Sequence, residues 1–442
     1  MRGIEQTGHL KAPLNWINDP NGFIYYRGQY HLFYQYFPYA PSWGTMHWGH
    51  AVSPDLIHWE HEGIALFPTK LADRNGCFSG SAIERAGRLH LFYTGVRYLE
   101  TDPENIHKHL NNRFESCQME LVSADGQHFD NLDAKRVIIP AITDPELGDA
   151  THTRDPKVWR GRDGYHLVLG TTVHREGRLL IYRSDDLGTW ELAGTVERDG
   201  LGWMWECPDW FEVDGTGVVM VSPMGLLDDG AAPTDMAICM LADFDEDTCR
   251  MTLADSYQFF DYGLDLYAPQ SALDAEGRRT VIAWLRMPAA VEAAEGAWRG
   301  MMSLPRVVEV AGGHIYFRIH PNVRAAYRLP VSPEQASTRT GYHLAIELHE
   351  GESLDLGGYR IARTGGRIVA DRSAVCPHNG KCRLTSETPE VREGDRLDIF
   401  VDANMVETYV NDGEYVLSHA VFGLEDRIDV HAVATPELHA LG

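Results

Sequence analysis

Three acidic residues, Asp19, Asp155 and Glu206, each stand nine residues before a glycine in a predicted strand turn, namely Gly28, Gly164 and Gly215. Their local sequences are alike, with NDPNG around Asp19, RDPKVW around Asp155 and ECPDW around Glu206. An acid before a proline commonly accepts backbone N–H bonds in a turn, and one such residue would be unremarkable. Three at matching positions are different, because like charges brought together raise one another's pKa and destabilise a fold. A function explains them better. Paired carboxylates suit hydrolysis of a glycosidic bond. One attacks the anomeric carbon, and the other, held protonated, donates to the leaving oxygen. Retention of configuration needs the pair roughly 5–5.5 Å apart, and inversion needs more room. The neighbours suggest a division of labour. Asn18 and Asn21 flank Asp19 and can hold it ionised. Trp203 and Trp205 precede Glu206 and predict a desolvated carboxyl that keeps its proton, suited to a general acid. Arg154 predicts an ionised Asp155 that binds substrate hydroxyls and steadies an oxocarbenium-like charge.

Elements that would bring these residues together follow from an internal repeat. The chain reads as short alternating apolar strands rich in Tyr, Phe, Val and Ile, separated by Gly, Asp and Asn turns. A glycine turn followed by an apolar strand recurs five times: RGQYHLFYQY from Arg27, AGRLHLFYTG from Ala86, DGYHLVLGT from Asp163, DGTGVVMVSP from Asp214 and EGRRTVIAWL from Glu276. Three units also carry a related outer segment, SPDLIHWE from Ser53, SADGQHFD from Ser123 and SDDLGTWE from Ser184. Five irregular β repeats predict a five-bladed β-propeller, although a barrel or sandwich satisfies the same pattern. In a propeller, the start of each innermost strand faces the axis, so the three acids would meet at one mouth of the channel.

The composition changes near residue 320. All eleven tryptophans lie at or before Trp298. Ile319 to Ser337 carries three prolines and weak periodicity, as a linker would. Strand-like runs follow, including VETYV-NDGE-YVLSHAVF from Val406, where Asp412–Gly413 signals a hairpin. The expected organisation is all-β: a propeller over 1–320, a linker over 321–337 and a C-terminal β-sandwich over 338–442 that packs on the propeller and stabilises it.

Bulk properties narrow the partners. The 442 residues carry a formal net charge of −25 and no long basic run, which disfavours nucleic acid and anionic membrane surfaces. A neutral sugar would not feel that field, whereas a phosphorylated one would need a local basic pocket. Met1 to Leu10 lacks the charged start and apolar stretch of a signal peptide, and no apolar run is long enough for a membrane span. Seven scattered cysteines form neither a C-x-x-C zinc pattern nor a secreted framework, so reduced thiols in a cytoplasm are expected.

NWINDPNG (Asn15–Gly22), FSGSA (Phe78–Ala82), RDPK (Arg154–Lys157), EC (Glu206–Cys207), DYGLDLYAPQ (Asp261–Gln270) and WRGMMSLPR (Trp298–Arg306) together resemble the motifs of glycoside hydrolase family 32, and the resemblance covers the whole chain. That family contains invertases, sucrose-6-phosphate hydrolases and fructan hydrolases, and the fold it implies is the propeller and sandwich read from the repeats. Carried over residue by residue, the resemblance makes Asp19 the nucleophile, Glu206 the general acid/base and Asp155 the transition-state stabiliser. It makes Asn18, Gln35, Trp43, Phe78, Ser79, Arg154 and Tyr267 lining residues of the fructose subsite. It implies no metal and no organic cofactor; His47 and His50 in HWGH belong to a structural strand, and Cys207 is a small packing residue. One departure stands out, Phe37-Pro38 where the family usually has Asn-Pro, and it predicts a more apolar pocket rim.

The expected activity is a retaining β-fructofuranosidase acting on sucrose, its 6-phosphate or short fructo-oligosaccharides through a covalent fructosyl-enzyme. A fructosyltransferase would use the same intermediate with a sugar acceptor. A silent sugar-binding propeller would have no use for a nucleophile and acid pair. Oligomeric state is not legible.

Overall fold

The turn glycines sit where the first strand of a sheet folds back on the second. In the computed structural model, which describes residues 8–391 and 395–442, Gly28, Gly87, Gly215 and Gly277 adopt the left-handed conformation such tight turns require. Residues 1–7, part of the stretch read for a leader, lie outside the described residues. Five antiparallel sheets follow one another along the chain. Their first strands are Asn15–Tyr26, Cys77–Arg85, Arg154–Arg160, Met204–Val213 and Leu266–Leu273. These five strands are innermost and neighbour one another in ring order, with the fifth returning to pack on the first. The closure is also stitched by backbone: Trp298–Arg299 runs parallel to Asn15 and Trp16, while Met301–Met302 pairs with Trp284 and Leu285 of the fifth sheet. The fold is the five-bladed propeller expected from the repeats.

Each innermost strand carries a β-bulge near its start. In the third, fourth and fifth blades it falls at the same place: Asp155–Pro156, Cys207–Pro208 and Ala268–Pro269 each face a single residue on the partner strand. Proline suits this spot, because an interior strand tolerates a missing N–H only at a bulge. The second blade has Gly80 instead, where a Cβ would come within 1.9 Å of the Phe92 carbonyl oxygen.

Just beyond the bulge, one side chain per blade reaches across to the next. The Gly80 N–H donates to Asn21 Oδ1 at 3.1 Å. Ser81 Oγ donates to the Pro156 carbonyl at 2.8 Å and accepts from the Val158 N–H. Lys157 Nζ lies 2.9 Å from Asp209 Oδ2 and 2.6 Å from the Ser271 carbonyl, and the Ser271 N–H donates back to Asp209. Gln270 Oε1 accepts from the Phe23 N–H at 2.9 Å, which joins the fifth blade to the first. Asn21, Ser81, Lys157 and Asp209 are all buried.

The second unit is a sandwich. A six-stranded sheet runs in the order Tyr327–Pro330, Glu437–Leu441, Tyr342–Leu348, Asp395–Asp402, Met405–Val410, Tyr415–Ala420, and a five-stranded sheet faces it. The hairpin expected at Asp412–Gly413 joins Met405–Val410 to Tyr415–Ala420. Within the stretch read as a linker, Pro321–Ala326 forms a short helix capped by His320, and Tyr327–Pro330 is an edge strand of the six-stranded sheet. The sandwich docks on the fifth blade through a shared apolar core that includes Phe260, Phe317, Met405 and Tyr409. Within that interface Arg306 donates to Asp261, Glu407 and Ser418 at 2.7–2.9 Å.

Lys157→Met is expected to lower stability by about 3–5 kcal/mol, since it leaves the Asp209 carboxylate buried without its cation. Adding Asp209→Asn should restore part of the loss. Equilibrium unfolding of both variants checks this, and equal losses would show that the buried charge is not what the ring depends on.

Candidate active site

All ten residues singled out in the sequence line one cavity of about 400 Å³ at the start of the inner strands. Asn18, Asp19, Gln35 and Trp43 come from the first blade, Phe78 and Ser79 from the second, Arg154 and Asp155 from the third, Glu206 from the fourth and Tyr267 from the fifth. The bulges do the aiming. Asp155 and Cys207 take left-handed φ values of 68° and 47°, which turn consecutive side chains towards the axis instead of alternating them.

The three acids are not at one structural position. Strand register makes Glu206 the equivalent of Arg154 and Tyr267, while Asp155 is the equivalent of Cys207. Counting from turn glycines misplaces Glu206 by one, because the third blade turns through Gly161 to Gly164 whereas the fourth turns through Asp214 and Gly215 alone. The alternation of X-acid-Pro and acid-X-Pro puts the acids at two levels, not one.

Asp19 accepts from Ser79 Oγ at 2.5 Å and from Asn18 Nδ2 at 3.1 Å. Asn21 does not join them; it belongs to the interblade ring. Burial pushes the Asp19 carboxyl above its ordinary range, with the Glu206 charge adding and the Ser79 and Asn18 hydrogen bonds opposing. Cys207 Sγ lies 3.5 Å from Asp19 Oδ2 and 3.6 Å from Asp155 Oδ2, so one sulfur separates the two aspartates. Asp155 also accepts from the Cys207 N–H at 2.9 Å. Its carboxyl is pushed up to about 7 by burial and by the Glu206 and Asp19 charges, although Arg154 opposes the shift from 3.9 Å. The expectation that Arg154 keeps Asp155 ionised is therefore overturned. That guanidinium turns instead to Glu206, donating to Oε1 through Nη2 at 2.8 Å and Nε at 3.2 Å.

Glu206 is held from the other side by Tyr267, whose hydroxyl lies 2.7 Å from Oε2 and 2.9 Å from the Ser222 carbonyl. The expected tryptophan environment is absent on at least one side. Trp205 points into the core between blades and donates to the Leu201 carbonyl, as strand alternation demands of a neighbour of Glu206. Trp203 stands in an adjoining hollow of about 690 Å³, with Arg175 5.6 Å above its ring and His152 edge-on.

Phe37 is not at the rim. It is 3% exposed and packs with Trp16, Met46 and Trp43 beneath the cavity wall. His47 and His50 serve different neighbours, the Thr45 carbonyl and the buried His31 ring nitrogen. Among the described residues no cluster of three metal-ligating side chains occurs, and no helix is long and apolar enough to cross a membrane. Sequence reasoning missed His109, Asn112 and His152 on one wall and Asp235, Trp284 and Arg286 on the other. The Asn111–Asn112 pair, both left-handed, was a turn signal that places Asn112 there; the others gave none.

A closed propeller with carboxylates converging from three blades on one mouth defines a carbohydrate-cleaving site. Residues 9–321 match the family model for the glycosyl hydrolases family 32 N-terminal domain, and residues 321–439 match that for the family 32 C-terminal domain. The chain belongs to glycoside hydrolase family 32 and is a glycoside hydrolase. It is 35% identical to a raffinose invertase of Escherichia coli, over 95% of this chain and 89% of that protein. It is 32% identical to a sucrose-6-phosphate hydrolase of Bacillus subtilis, over 97% and 91%. A solved β-fructofuranosidase of Bombyx mori superposes with a TM-score of 0.81 at 29% identity, covering 98% of this chain and 93% of that one.

Asp155→Asn should raise the thermal midpoint at pH 8. The folded-state pKa of Asp155, about 7, lies above its ordinary unfolded value, so its stabilising contribution is complete below about pH 4 and is lost as pH rises through 7. The neutral amide escapes that loss, so its advantage should shrink from pH 8 to pH 5. A midpoint that falls equally at both pH values would make the Asp155 charge stabilising and sink this account.

Proposed function

We propose that the protein is a retaining β-fructofuranosidase in which Asp19 attacks the anomeric carbon of a terminal β-fructosyl unit and Glu206 protonates the departing oxygen. The observation that carries this reading is the separate support given to the two carboxylates. Asp19 accepts an O–H and an N–H, from Ser79 and Asn18, on its two oxygens, which stabilise the charged nucleophile. Glu206 accepts from Tyr267 on Oε2 and from Arg154 on Oε1, and these two neighbours fix the orientation of the carboxyl that serves as the general acid. After departure of the leaving group, the Glu206 carboxylate takes a proton from water, which releases fructose from Asp19. Asp155 accepts fructose hydroxyls, and Asn18, Gln35, Trp43, Phe78, Ser79 and Arg154 shape the pocket around the ring.

Asp19→Ala and Glu206→Ala should each reduce kcat by more than about a thousandfold in folded protein, and NMR of the first fructose released should show the β-anomer. Near-normal rates in either variant would remove that residue from the mechanism, and an α-anomer first would end the nucleophile assignment.

On the leaving-group side we read the preferred substrate as neutral, with sucrose turned over at least as well as its 6-phosphate. Both arginines that line the cavity are already engaged. Arg154 holds Glu206, and Arg286 donates to the Leu264, Asp235 and Asp265 carbonyls while stacking on Tyr267. Lys157, one of the cations near the motifs, is committed to the interblade ring, and Lys70, Arg74 and Arg97 do not line the cavity. Asp235 adds an acid to the wall. Phe37 has no part in this preference, since its ring is buried beneath the wall. Comparing kcat/KM for sucrose and sucrose 6-phosphate at low and moderate salt tests the reading. A large preference for the phosphate that fades with salt and is lost in Arg175→Gln would overturn it and make the hollow under Arg175 a phosphate site. We also place the catalytic residues within 1–320, take the sandwich, which begins with the Tyr327–Pro330 edge strand and not at 338, as their support, and take the cytoplasm as the location, in keeping with seven cysteines in thiol form.

A further inference from the structure

The sandwich sends one loop back onto the propeller, and that loop carries two cysteines that no catalytic role accounts for. It begins at Arg372, which is bidentate to Asp265 and also donates to the Ala420 carbonyl. It ends at Arg383, bidentate to Asp229 at 2.8 Å in both contacts. Midway, Asn379 Nδ2 donates to the Pro288 carbonyl at 3.1 Å. The loop therefore grips two propeller segments, one leading from Asp229 to Asp235 and the other from Arg286 to Pro288. Asp235 and Arg286 are wall residues of the active-site cavity, and Arg286 Nη1 donates to the Asp235 carbonyl. Across the base of this clamp, Cys376 Sγ and Cys382 Sγ stand 2.8 Å apart as free thiols. Cys376 is buried and Cys382 is partly exposed.

We propose that Cys376 and Cys382 are a redox-active dithiol whose oxidation to a disulfide staples the clamp that holds the sandwich against the active-site wall. The sulfurs already face each other, so bond formation needs only a small movement of one loop. Contact with Cys376 holds the Cys382 thiol down to about 7, which makes it the attacking group. The oxidant is a small-molecule disulfide. Cys382 thiolate attacks one of its sulfurs and expels the first thiolate; Cys376 then loses its proton, attacks the Cys382 sulfur of the mixed disulfide and expels the second. Two electrons leave the protein and reduce one disulfide to two thiols. The other five cysteines have no such partner among the described residues.

The test equilibrates the full-length protein with oxidised glutathione, blocks remaining thiols and digests with trypsin, which cuts after Arg372, Lys381 and Arg383. The expected product is Ser373–Lys381 joined to Cys382–Arg383, with the five other cysteines blocked. The oxidised protein should also melt about 2–5 °C higher than the reduced form, and dithiothreitol should reverse the shift. Cys382→Ser should retain the reduced-form midpoint and show no change with glutathione. Both thiols blocked after oxidation, or a stable glutathione adduct on either, would overturn the proposal. So would a disulfide that forms without moving the midpoint, because the clamp would then not be what it constrains.

Discussion

A propeller has to close across the gap between its last and first sheets, and in this chain the closure is made at one level of the axis by Asn21, Ser81, Lys157, Asp209 and Gln270. Each reaches a neighbouring blade, and the Gln270–Phe23 bond completes the circle. The candidate catalytic set lies directly before this ring in the same strands. Four of its contacts cross blade boundaries: Ser79 to Asp19, Cys207 to Asp155, Arg154 to Glu206 and Tyr267 to Glu206. Relative placement of the blades is therefore the same thing as active-site geometry. A site built on rigid strands that are locked two or three residues away holds its groups more closely than one built on loops.

That geometry has an electrostatic cost, and the site manages it without a metal-ligand cluster among the described residues. Asp19, Asp155 and Glu206 share one cavity with Arg154 as the cation within direct reach. Two of them, Asp19 and Asp155, are pushed upward by burial, with the Glu206 charge adding to both and the Asp19 charge to Asp155. Arg154 goes to the third. The aspartates are kept apart by the Cys207 sulfur, a weak donor small enough to fit between them. A substrate that brings hydroxyl donors into this cavity would relieve the repulsion, whereas one that brings an anion would add to it.

The sandwich bears on the same carboxylates from a distance. Asp261 and Asp265, in the segment that runs into the Tyr267 strand, are both tied to the sandwich: Asp261 by Ser418 and, through Arg306 of the fifth blade, by Glu407, and Asp265 by Arg372. Buried ion pairs of this kind add little net stability, because desolvation offsets the attraction, but they tolerate only one orientation of their partners. Apolar burial between the two units supplies the adhesion. The charged contacts decide where Tyr267 stands, and Tyr267 decides how Glu206 is presented.

Much of this was legible in the sequence, and the parts that were not share a physical reason. Turn glycines revealed the blades because a two-residue turn needs a left-handed residue wherever it occurs. They failed as a ruler for Glu206 because turn length is free to vary while the axis end of the strand is not. The better ruler was the proline: Pro20, Pro156, Pro208 and Pro269, with Gly80 in the second blade, mark the bulge in every repeat. Proline lacks the donor that an interior strand would leave unpaired, and Gly80 lacks the Cβ that would strike Phe92. Anchored there, Asn18, Phe78, Arg154, Glu206 and Tyr267 form one register set, and Asp19, Ser79, Asp155, Cys207 and Ala268 the next. Side chains whose place depends on a loop path or on packing, such as Asn112, Phe37 and Trp205, have no such marker. Periodicity records the strand they belong to and the face they occupy only where the strand is regular, and an active site built on bulges is where that regularity ends.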